Sequence, residues 1–253
     1  MTDLFLAASR LLPLLDLTSL NDARDDDMLK LCRAAMTPAG PVAAVCVWPQ
    51  FVAQAKRMLA DKPVRVAGVA NFPDGRAETD LVVTECRALL QDGADEIDLV
   101  MPYEAWLAGE RDRARDLVGA VKAVTAGRAL LKVILETGAL GNAENIAAAS
   151  RDMIAAGADF LKTSSGKRHG GATLEAADAM LRVIHEAGGR VGFKAAGGVR
   201  EVAQAAEYLE LADQRLGPDW AAPERFRIGA SSLLDELLED LSHMEFHTGE
   251  DDQ

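Results

Sequence analysis

The sequence has few cysteines, few aromatic residues and a shortage of positive charge. Its three cysteines, Cys32, Cys46 and Cys86, show no CxxC spacing. We therefore expect neither a disulfide framework nor a zinc site, and a reducing cytoplasm is the expected compartment. Lys and Arg total 27 against 40 Asp and Glu, for a net charge of -13. This balance argues against nucleic acid and anionic membranes as partners.

Long apolar runs and the common cofactor motifs are also missing. The N-terminal segment is interrupted by Asp3, Arg10 and Pro13, well short of the roughly 20 residues that a membrane span needs. We expect a short helix there that leads into a strand. Because the sequence has no P-loop, no GxGxxG opening a first βα turn and no HExxH, it gives no support to nucleotide, dinucleotide or zinc-protease chemistry. We predict neither a metal nor a cofactor.

The sequence does contain a regular alternation of short apolar runs with longer amphipathic stretches, the pattern of parallel βα units. The predicted strands are Leu14 to Thr18, Val42 to Trp48, Val64 to Asn71, Glu96 to Met101, Ala129 to Glu136, Asp159 to Ser164, Val191 to Ala196 and Arg225 to Gly229. The predicted helices are Asn21 to Met36, Pro49 to Ala60, Arg76 to Asp92, Asn142 to Ala156, Leu174 to Ala187, Glu201 to Leu211 and Ser231 to Leu241.

Eight such units predict one domain, a (β/α)8 barrel over residues 1–242 with an N-terminal capping helix. A doubly wound open sheet is the alternative, since periodicity does not show closure. We expect residues 243–253 to be a flexible acidic tail. Two helices end in similar phrases, QDGADEIDLV and AAGADFLKTS, where Gly93 and Gly157 suit a left-handed cap before the next strand. The two phrases form a weak internal repeat.

Five predicted strands carry a charged residue within an apolar run. These residues are Asp16, Asp98, Lys132, Lys162 and Lys194. Buried charges are costly unless they are paired, so we expect the five side chains to meet in one polar site. The alternative is that each belongs to an isolated structural ion pair.

Lys162 and Lys194 fall on consecutive predicted strands, and adjacent strands lie only about 4.8 Å apart. Repulsion between two such ammonium groups, with partial desolvation, lowers the pKa of a lysine and leaves some neutral amine near pH 7. A neutral amine can attack a carbonyl, so this spacing predicts imine chemistry. Asp98 is the natural carboxylate to move protons through water.

Glycines and serines after the last three predicted strands suggest an anion site. They are Gly197 and Gly198, then Gly229, Ser231 and Ser232, and the turn of Ser164, Ser165 and Gly166 with Lys167 beside it. Loops after strands seven and eight are the usual phosphate site of a (β/α)8 barrel. Each motif alone is ordinary at a helix start, so their joint placement supports the prediction.

Other polar residues give weaker signals. Glu136, Asn71 and Pro73 either line the barrel mouth or merely end a strand. The four histidines are His169, His185, His243 and His247. None has ligand spacing on a strand, and we interpret them as solvated surface groups.

As an ordered set, several segments resemble those of the 2-deoxyribose-5-phosphate aldolases, metal-independent class I enzymes that form a Schiff base. The segments are DLTSLN, VCVWP, NFPDG, GADEIDLV, LKVILETG, ADFLKTSSGK, VGFKAAGGVR and GASSLL, and they cover nearly the whole chain. This family cleaves deoxyribose 5-phosphate to acetaldehyde and glyceraldehyde 3-phosphate. The resemblance therefore implies small sugar phosphates and aldehydes as partners.

The resemblance also implies residue roles. Lys162 would form the imine, Asp98 would shuttle a proton with water, and Lys194 would be the neighbouring ammonium. The family's phosphate pocket corresponds to Lys167, Gly198, Ser231 and Ser232, and its pocket lining corresponds to Thr18, Cys46 and Lys132. We expect Asp16 and Ser164 to line the same pocket.

The sequence departs from the family mildly at Ala195 and Ser165, and more at its end. Some relatives end in a tyrosine that aids proton transfer, whereas the last tyrosine here is Tyr208, inside a predicted helix. The alternatives are another imine-forming aldolase or transaldolase, and a barrel that binds sugar phosphates or a protein partner without turnover. The oligomeric state is left as either a monomer or a homodimer.

Overall fold

The computed structural model of the chain describes residues 2–21 and 24–242. The predicted tail, with His243 and His247, lies outside the described residues. His169 and His185 are exposed, as expected. Among the described helices, none is both long and apolar enough to cross a membrane.

Eight parallel strands close into a barrel, in the order β1-β10-β9-β8-β7-β6-β5-β4. The strands of the chain are β1 Leu15–Ser19, β2 Met36–Thr37, β3 Gly40–Pro41, β4 Ala44–Val47, β5 Arg65–Ala70, β6 Glu96–Val100, β7 Leu130–Ile134, β8 Phe160–Lys162, β9 Gly192–Ala196 and β10 Phe226–Ala230. β1 pairs with both β10 and β4, which closes the sheet and excludes the doubly wound alternative. The (β/α)8 prediction is confirmed, and β2 and β3 form a separate antiparallel pair.

Helices surround the barrel. They are α1 Thr2–Leu11, α2 Asp25–Ala34, α3 Val52–Met58, α4 Thr79–Gln91, α5 Tyr103–Leu107, α6 Arg111–Thr125, α7 Thr137–Leu140, α8 Ala143–Ala155, α9 Leu174–Glu186, α10 Val202–Leu216 and α11 Leu233–Ser242. The N-terminal helix α1 packs against α10 and α11 and leads through a 3-10 turn, Leu12–Leu14, into β1.

Two predictions about helices need correction. The first predicted helix ran too far, because α2 ends at Ala34 and Met36 starts the small antiparallel pair. The long helix α6 was missed. Its many charged residues hide a buried apolar stripe, Ala114, Leu117, Val118 and Val121, whose spacing of three and four residues is helical.

The two similar phrases that end α4 and α8 fold in the same way. Gly93 and Gly157 have φ of 89° and 99°, as the predicted caps require. Asp95 accepts a hydrogen bond from the Val66 amide of the preceding strand at 2.8 Å and pairs with Lys56. Asp159 accepts one from the Leu131 amide at 2.8 Å and pairs with Lys122. The repeat thus ties each strand to its neighbour by the same device.

The barrel interior is divided between an apolar side and a charged side. The apolar side comes mainly from β4, β5 and the loops beyond them, with Leu20 added from the loop after β1. Its members are Leu20, Cys46, Ala67 and Val69, packed against Trp48 and Phe72. The main hydrophobic core lies between the strands and the surrounding helices. The remaining six strands carry the charged side.

The three cysteines are free and buried. Burial raises the pKa of Cys32 and of Cys46 to about 11, and that of Cys86 to about 12. The proximity of Asp98 adds to the shift at Cys46. Each thiol therefore keeps its proton at neutral pH.

We predict that the native protein does not react with a water-soluble aromatic disulfide at about pH 8, because the thiolate is the nucleophile and the thiols are both buried and protonated. The same assay in urea should label all three cysteines. Absorbance of the released thiol measures both. Rapid labelling of one cysteine in the native protein would contradict the prediction.

Candidate active site

Seven ionisable side chains meet inside the barrel. They are Asp16 from β1, Glu96 and Asp98 from β6, Lys132 from β7, Lys162 from β8, Lys194 from β9 and Arg227 from β10. All are at most 3% exposed. Such groups are tolerated in a protein interior only when they are paired and hydrogen bonded. The structure brings all five charged residues singled out from the sequence into this one cluster, so they are not isolated ion pairs.

Asp98 is the centre of the cluster. Its Oδ2 accepts hydrogen bonds from the Nζ atoms of Lys162 and Lys194, each at 2.8 Å. Its Oδ1 accepts one from Lys132 Nζ at 3.1 Å. The register of β8 and β9 places Lys162 directly opposite Lys194. The Nζ atoms of Lys162 and Lys194 are therefore separated by no more than twice the 2.8 Å hydrogen-bond distance.

Asp16, Glu96 and Arg227 form a deeper part of the cluster. Lys194 Nζ donates to Asp16 Oδ2 at 2.5 Å, while Arg227 donates to Asp16 Oδ1. Arg227 Nη2 also donates to Glu96 Oε1 at 2.8 Å. Lys132 connects this deeper part of the cluster to Asp98. Its Nζ pairs with Glu96 and with Asp98 and lies 3.3 Å from Asp16 Oδ2.

The cluster fixes the charge of its members. Burial disfavours the charge on Asp98, but Lys132, Lys162 and Lys194 outweigh it and hold the pKa of Asp98 well below its usual range. Burial likewise disfavours the charge on Lys194, but Asp16 and Asp98 outweigh it and raise the pKa of Lys194 above its usual range. Asp98 is therefore a carboxylate and Lys194 an ammonium.

Lys162 is the member of the cluster that reaches the cavity at the carboxyl ends of the strands. This cavity has a volume of about 200 Å³. Its wall includes two further cations, Lys167 and Arg200, and none of the described acidic residues. In a chain with a net charge of -13, such a wall favours an anionic ligand.

Glycines give the cavity loops their shape. Gly166, Gly197 and Gly198 have φ of 73°, 91° and 84°, a region that other residues rarely adopt. A Cβ on Gly197 would lie 3.0 Å from the Cα of Gly171 and 3.3 Å from that of Gly166. The loops after β8 and β9 therefore pack backbone against backbone.

The predicted site residues divide into two groups. Those on the cavity wall are Thr18, Lys162, Gly166, Lys167, Gly197, Gly198, Gly229 and Ser231, with Ser232 in the adjoining hollow. Four residues expected to line the pocket lie beneath its wall instead: Asp16, Cys46, Lys132 and Ser164. Ion pairs hold Asp16 and Lys132 below the surface, Cys46 packs on the apolar side, and Ser164 Oγ lies 3.4 Å from Thr137 Oγ1.

Sequence reasoning missed four polar residues of the site. Glu96 and Arg227 complete the cluster, and Asn21 and Arg200 lie on the cavity wall. The signal for Arg200 was its place two residues after Gly198, where a cation could reach the same anion.

Comparison with known proteins agrees with this geometry. A family model described as "DeoC/LacD family aldolase" matches residues 11–238. The chain belongs to the DeoC/LacD aldolase family. A curated relative from Agrobacterium fabrum, named deoxyribose-phosphate aldolase, is 48% identical over 92% of this chain and 90% of its own.

Solved structures of similar proteins share the fold. A Toxoplasma gondii ME49 protein superposes with a TM-score of 0.86 at 28% identity, over 96% of this chain and 98% of its own. The deoxyribose phosphate aldolase of Aeropyrum pernix, described as a tetramer, has a TM-score of 0.76 at 25% identity, over 96% of this chain and 94% of its own. These proteins therefore share the barrel fold with this chain although their sequence identity to it is below 30%.

We predict that Arg227→Met lowers the free energy of unfolding by about 3 kcal/mol, because it removes from the buried carboxylates of Asp16 and Glu96 one of the two cations that they share. Urea denaturation measures the loss. The matched control is Arg10→Met, which removes the more exposed pair with Asp213 and should cost less than about 1 kcal/mol. Equal losses in the two variants would contradict the prediction.

Proposed function

We propose that this aldolase reversibly cleaves 2-deoxy-D-ribose 5-phosphate to acetaldehyde and D-glyceraldehyde 3-phosphate, through an imine on Lys162. One observation carries the proposal. Lys162 joins a buried cluster of charges to a cationic cavity, so that a carbonyl can meet the amine while a phosphate meets the loops. The activity named for the Agrobacterium fabrum relative supports the same substrate.

The pairing within the cluster favours Lys162 as the nucleophile. Lys132, Lys194 and Arg227 each pair with at least two of the buried carboxylates. Among the described residues, Lys162 pairs with Asp98 alone. Attack on a carbonyl uses a neutral amine, and Lys162 is the cation of the cluster with the fewest carboxylates to hold its charge.

The proposed reaction begins when Lys162 Nζ attacks the aldehyde carbon of the open-chain sugar. Loss of water from this adduct gives an iminium ion. Asp98, through water, then accepts the proton of the hydroxyl group on the third sugar carbon. The bond between the second and third carbons breaks, its electrons move into the iminium to form an enamine, and the third carbon becomes the aldehyde carbon of glyceraldehyde 3-phosphate. Protonation of the enamine and hydrolysis of the imine release acetaldehyde.

Asp98 and Lys194 are placed to serve the proton steps. Asp98 Oδ2 accepts a hydrogen bond from Lys162 Nζ and from Lys194 Nζ. A proton can therefore move between the neighbourhoods of the two nitrogens by way of this oxygen and water. The high pKa of Lys194 keeps a positive charge beside the reacting nitrogen. This arrangement needs no residue from the end of the chain.

The cavity wall is suited to the phosphate. Lys167 and Arg200 supply positive charge, and the glycine turn at Gly197–Gly198 exposes backbone near Ser231. Binding of a remote phosphate holds the reacting carbons in place, a positioning effect that can contribute several kcal/mol to lowering the barrier. The small sugar phosphates and aldehydes proposed as ligands match this small cavity.

The cellular location and the oligomeric state are also proposals. We propose a cytoplasmic location, which the three buried free thiols support. A monomer or a homodimer stays a prediction, alongside the tetramer described for the Aeropyrum pernix enzyme.

We predict that acetaldehyde and borohydride together leave a reduced adduct on Lys162, because the imine is trapped as a stable amine. Mass spectrometry of the digested protein locates the adduct. The control is Lys162→Leu, which keeps the buried lysines Lys132 and Lys194 and should carry no adduct within the barrel. An adduct on Lys194 in the wild-type protein would reject Lys162 as the nucleophile.

We also predict that Lys167→Met raises the KM for deoxyribose 5-phosphate about tenfold, the loss expected for one charge-assisted contact. The KM for unphosphorylated 2-deoxyribose should not change. A coupled assay for glyceraldehyde 3-phosphate, or for acetaldehyde with the unphosphorylated sugar, measures the two values. Equal increases for both sugars would place the phosphate elsewhere.

A further inference from the structure

Glu136 is a buried carboxylate outside the charged cluster. It follows β7, its side chain is fully buried, and its φ is 55°. Its Oε1 has no hydrogen-bond partner among the described residues. A bulky residue in this backbone region is uncommon, and such strain concentrates at functional sites. We therefore expect the Glu136 carboxylate to have a function that requires its length and its oxygen atoms.

Asn71 offers a direct comparison, because it is the other described residue besides glycine with a positive φ, 53°. Asparagine adopts this conformation readily. Its side chain donates to the carbonyls of Arg76, in its own turn, and of Val100, on β6, and accepts from the Arg76 amide. These bonds account for Asn71. The Glu136 side chain makes no hydrogen bond within the turn that its backbone begins, so its carboxylate serves something else.

The other oxygen of Glu136 contacts the loop after β8. Oε2 accepts a hydrogen bond from the Ser165 amide at 3.3 Å. Ser165 Oγ in turn accepts one from the Lys167 amide at 3.1 Å. Lys167 Nζ then donates to Asn21 Oδ1 at 2.8 Å, across the cavity mouth. A chain of contacts therefore runs from the Glu136 carboxylate to the cation on the cavity wall.

The loop is also held at both ends by backbone hydrogen bonds. At its start, Thr137 donates to the Thr163 carbonyl at 2.9 Å, and at its end Ala172 donates to the Gly197 carbonyl at 2.9 Å. These bonds fix where the loop begins and ends. The Glu136 contact falls between them, at Ser165, where the loop reaches the cavity. It acts on the part of the loop that faces a ligand.

We propose that Glu136 is a positioning residue for the phosphate end of the substrate. Its carboxylate holds the Ser165 backbone so that Gly166 and Lys167 face the cavity. Glu136 does not contact the reacting carbons, so its loss should weaken phosphate binding and spare the chemical step. The proposal rests on the proposed function, because it takes the ligand of this cavity wall to be a phosphate.

The test compares Glu136→Leu, Glu136→Gln and a matched control, Glu85→Leu. Glu85 Oε2 accepts a hydrogen bond from the Asn71 amide at 2.9 Å, an equivalent contact to a loop after a different strand. For each protein, kcat and KM are measured with deoxyribose 5-phosphate and with unphosphorylated deoxyribose. The Kd of inorganic phosphate is measured by calorimetry.

Glu136→Leu should raise both the KM for the phosphorylated sugar and the Kd of phosphate about tenfold, with kcat and the KM for deoxyribose unchanged. Glu136→Gln should recover most of the loss, because its amide oxygen can still accept from Ser165. Glu85→Leu should leave the preference for the phosphorylated sugar unchanged. Equal losses with both sugars, or the same shift in Glu85→Leu, would overturn the proposal.

Two additions keep the result decisive. If Glu136→Leu does not fold, Glu136→Asn replaces it, because asparagine tolerates the backbone conformation while its shorter side chain loses the Ser165 contact; an unchanged phosphate Kd in this variant would also overturn the proposal. If the wild-type protein does not cleave deoxyribose 5-phosphate, the proposed function fails. The phosphate Kd values of wild type and variants then still decide the role of Glu136.

Discussion

The carboxylate of Asp98 holds three lysine side chains inside the barrel, and the rest of the site depends on this interaction. Without it, the amino groups of Lys132, Lys162 and Lys194 would lie close together in the barrel interior and lack the carboxylate that they share. Asp16 and Glu96 are the other two buried carboxylates of the cluster, and Arg227 pairs with both of them. The ionic centre is thus one connected structure, and Lys162 is its member that reaches the cavity.

Much of this centre could be predicted from the sequence, because a charged residue inside an apolar run stands out. Asp16, Asp98, Lys132, Lys162 and Lys194 all gave that signal. Glu96 did not, since it lies at the start of its strand, where a charged residue usually faces solvent. Arg227 did not, since it follows the charged residues Glu224 and Arg225 and so looked like part of a polar segment. Only barrel closure brings them together: Arg227 and Asp16 are 211 positions apart in the sequence, yet β10 and β1 are neighbours.

Other features depend on conformation that residue types do not show. The apolar spacing that marks α6 was present, but its many charges concealed it. Asp16 and Lys132 lie beneath the pocket wall rather than on it, because their position in the barrel depends on the ion pairs that they form. Glu136 was ambiguous for a similar reason. Its position after a strand was visible, whereas its left-handed backbone and its contact with Ser165 were not.

The division of the barrel interior has a consequence for how the enzyme can change. The buried charges come from six strands, whereas β4 and β5 contribute small apolar side chains to the interior. The charged residue of β5, Arg65, is the first residue of that strand and is exposed. A substitution at Ala67 or Val69 can therefore alter the packing of the apolar side without removing an ion pair. The shape of the apolar side and the pairing of the charges depend on different strands, so selection or engineering can change one while the other is preserved.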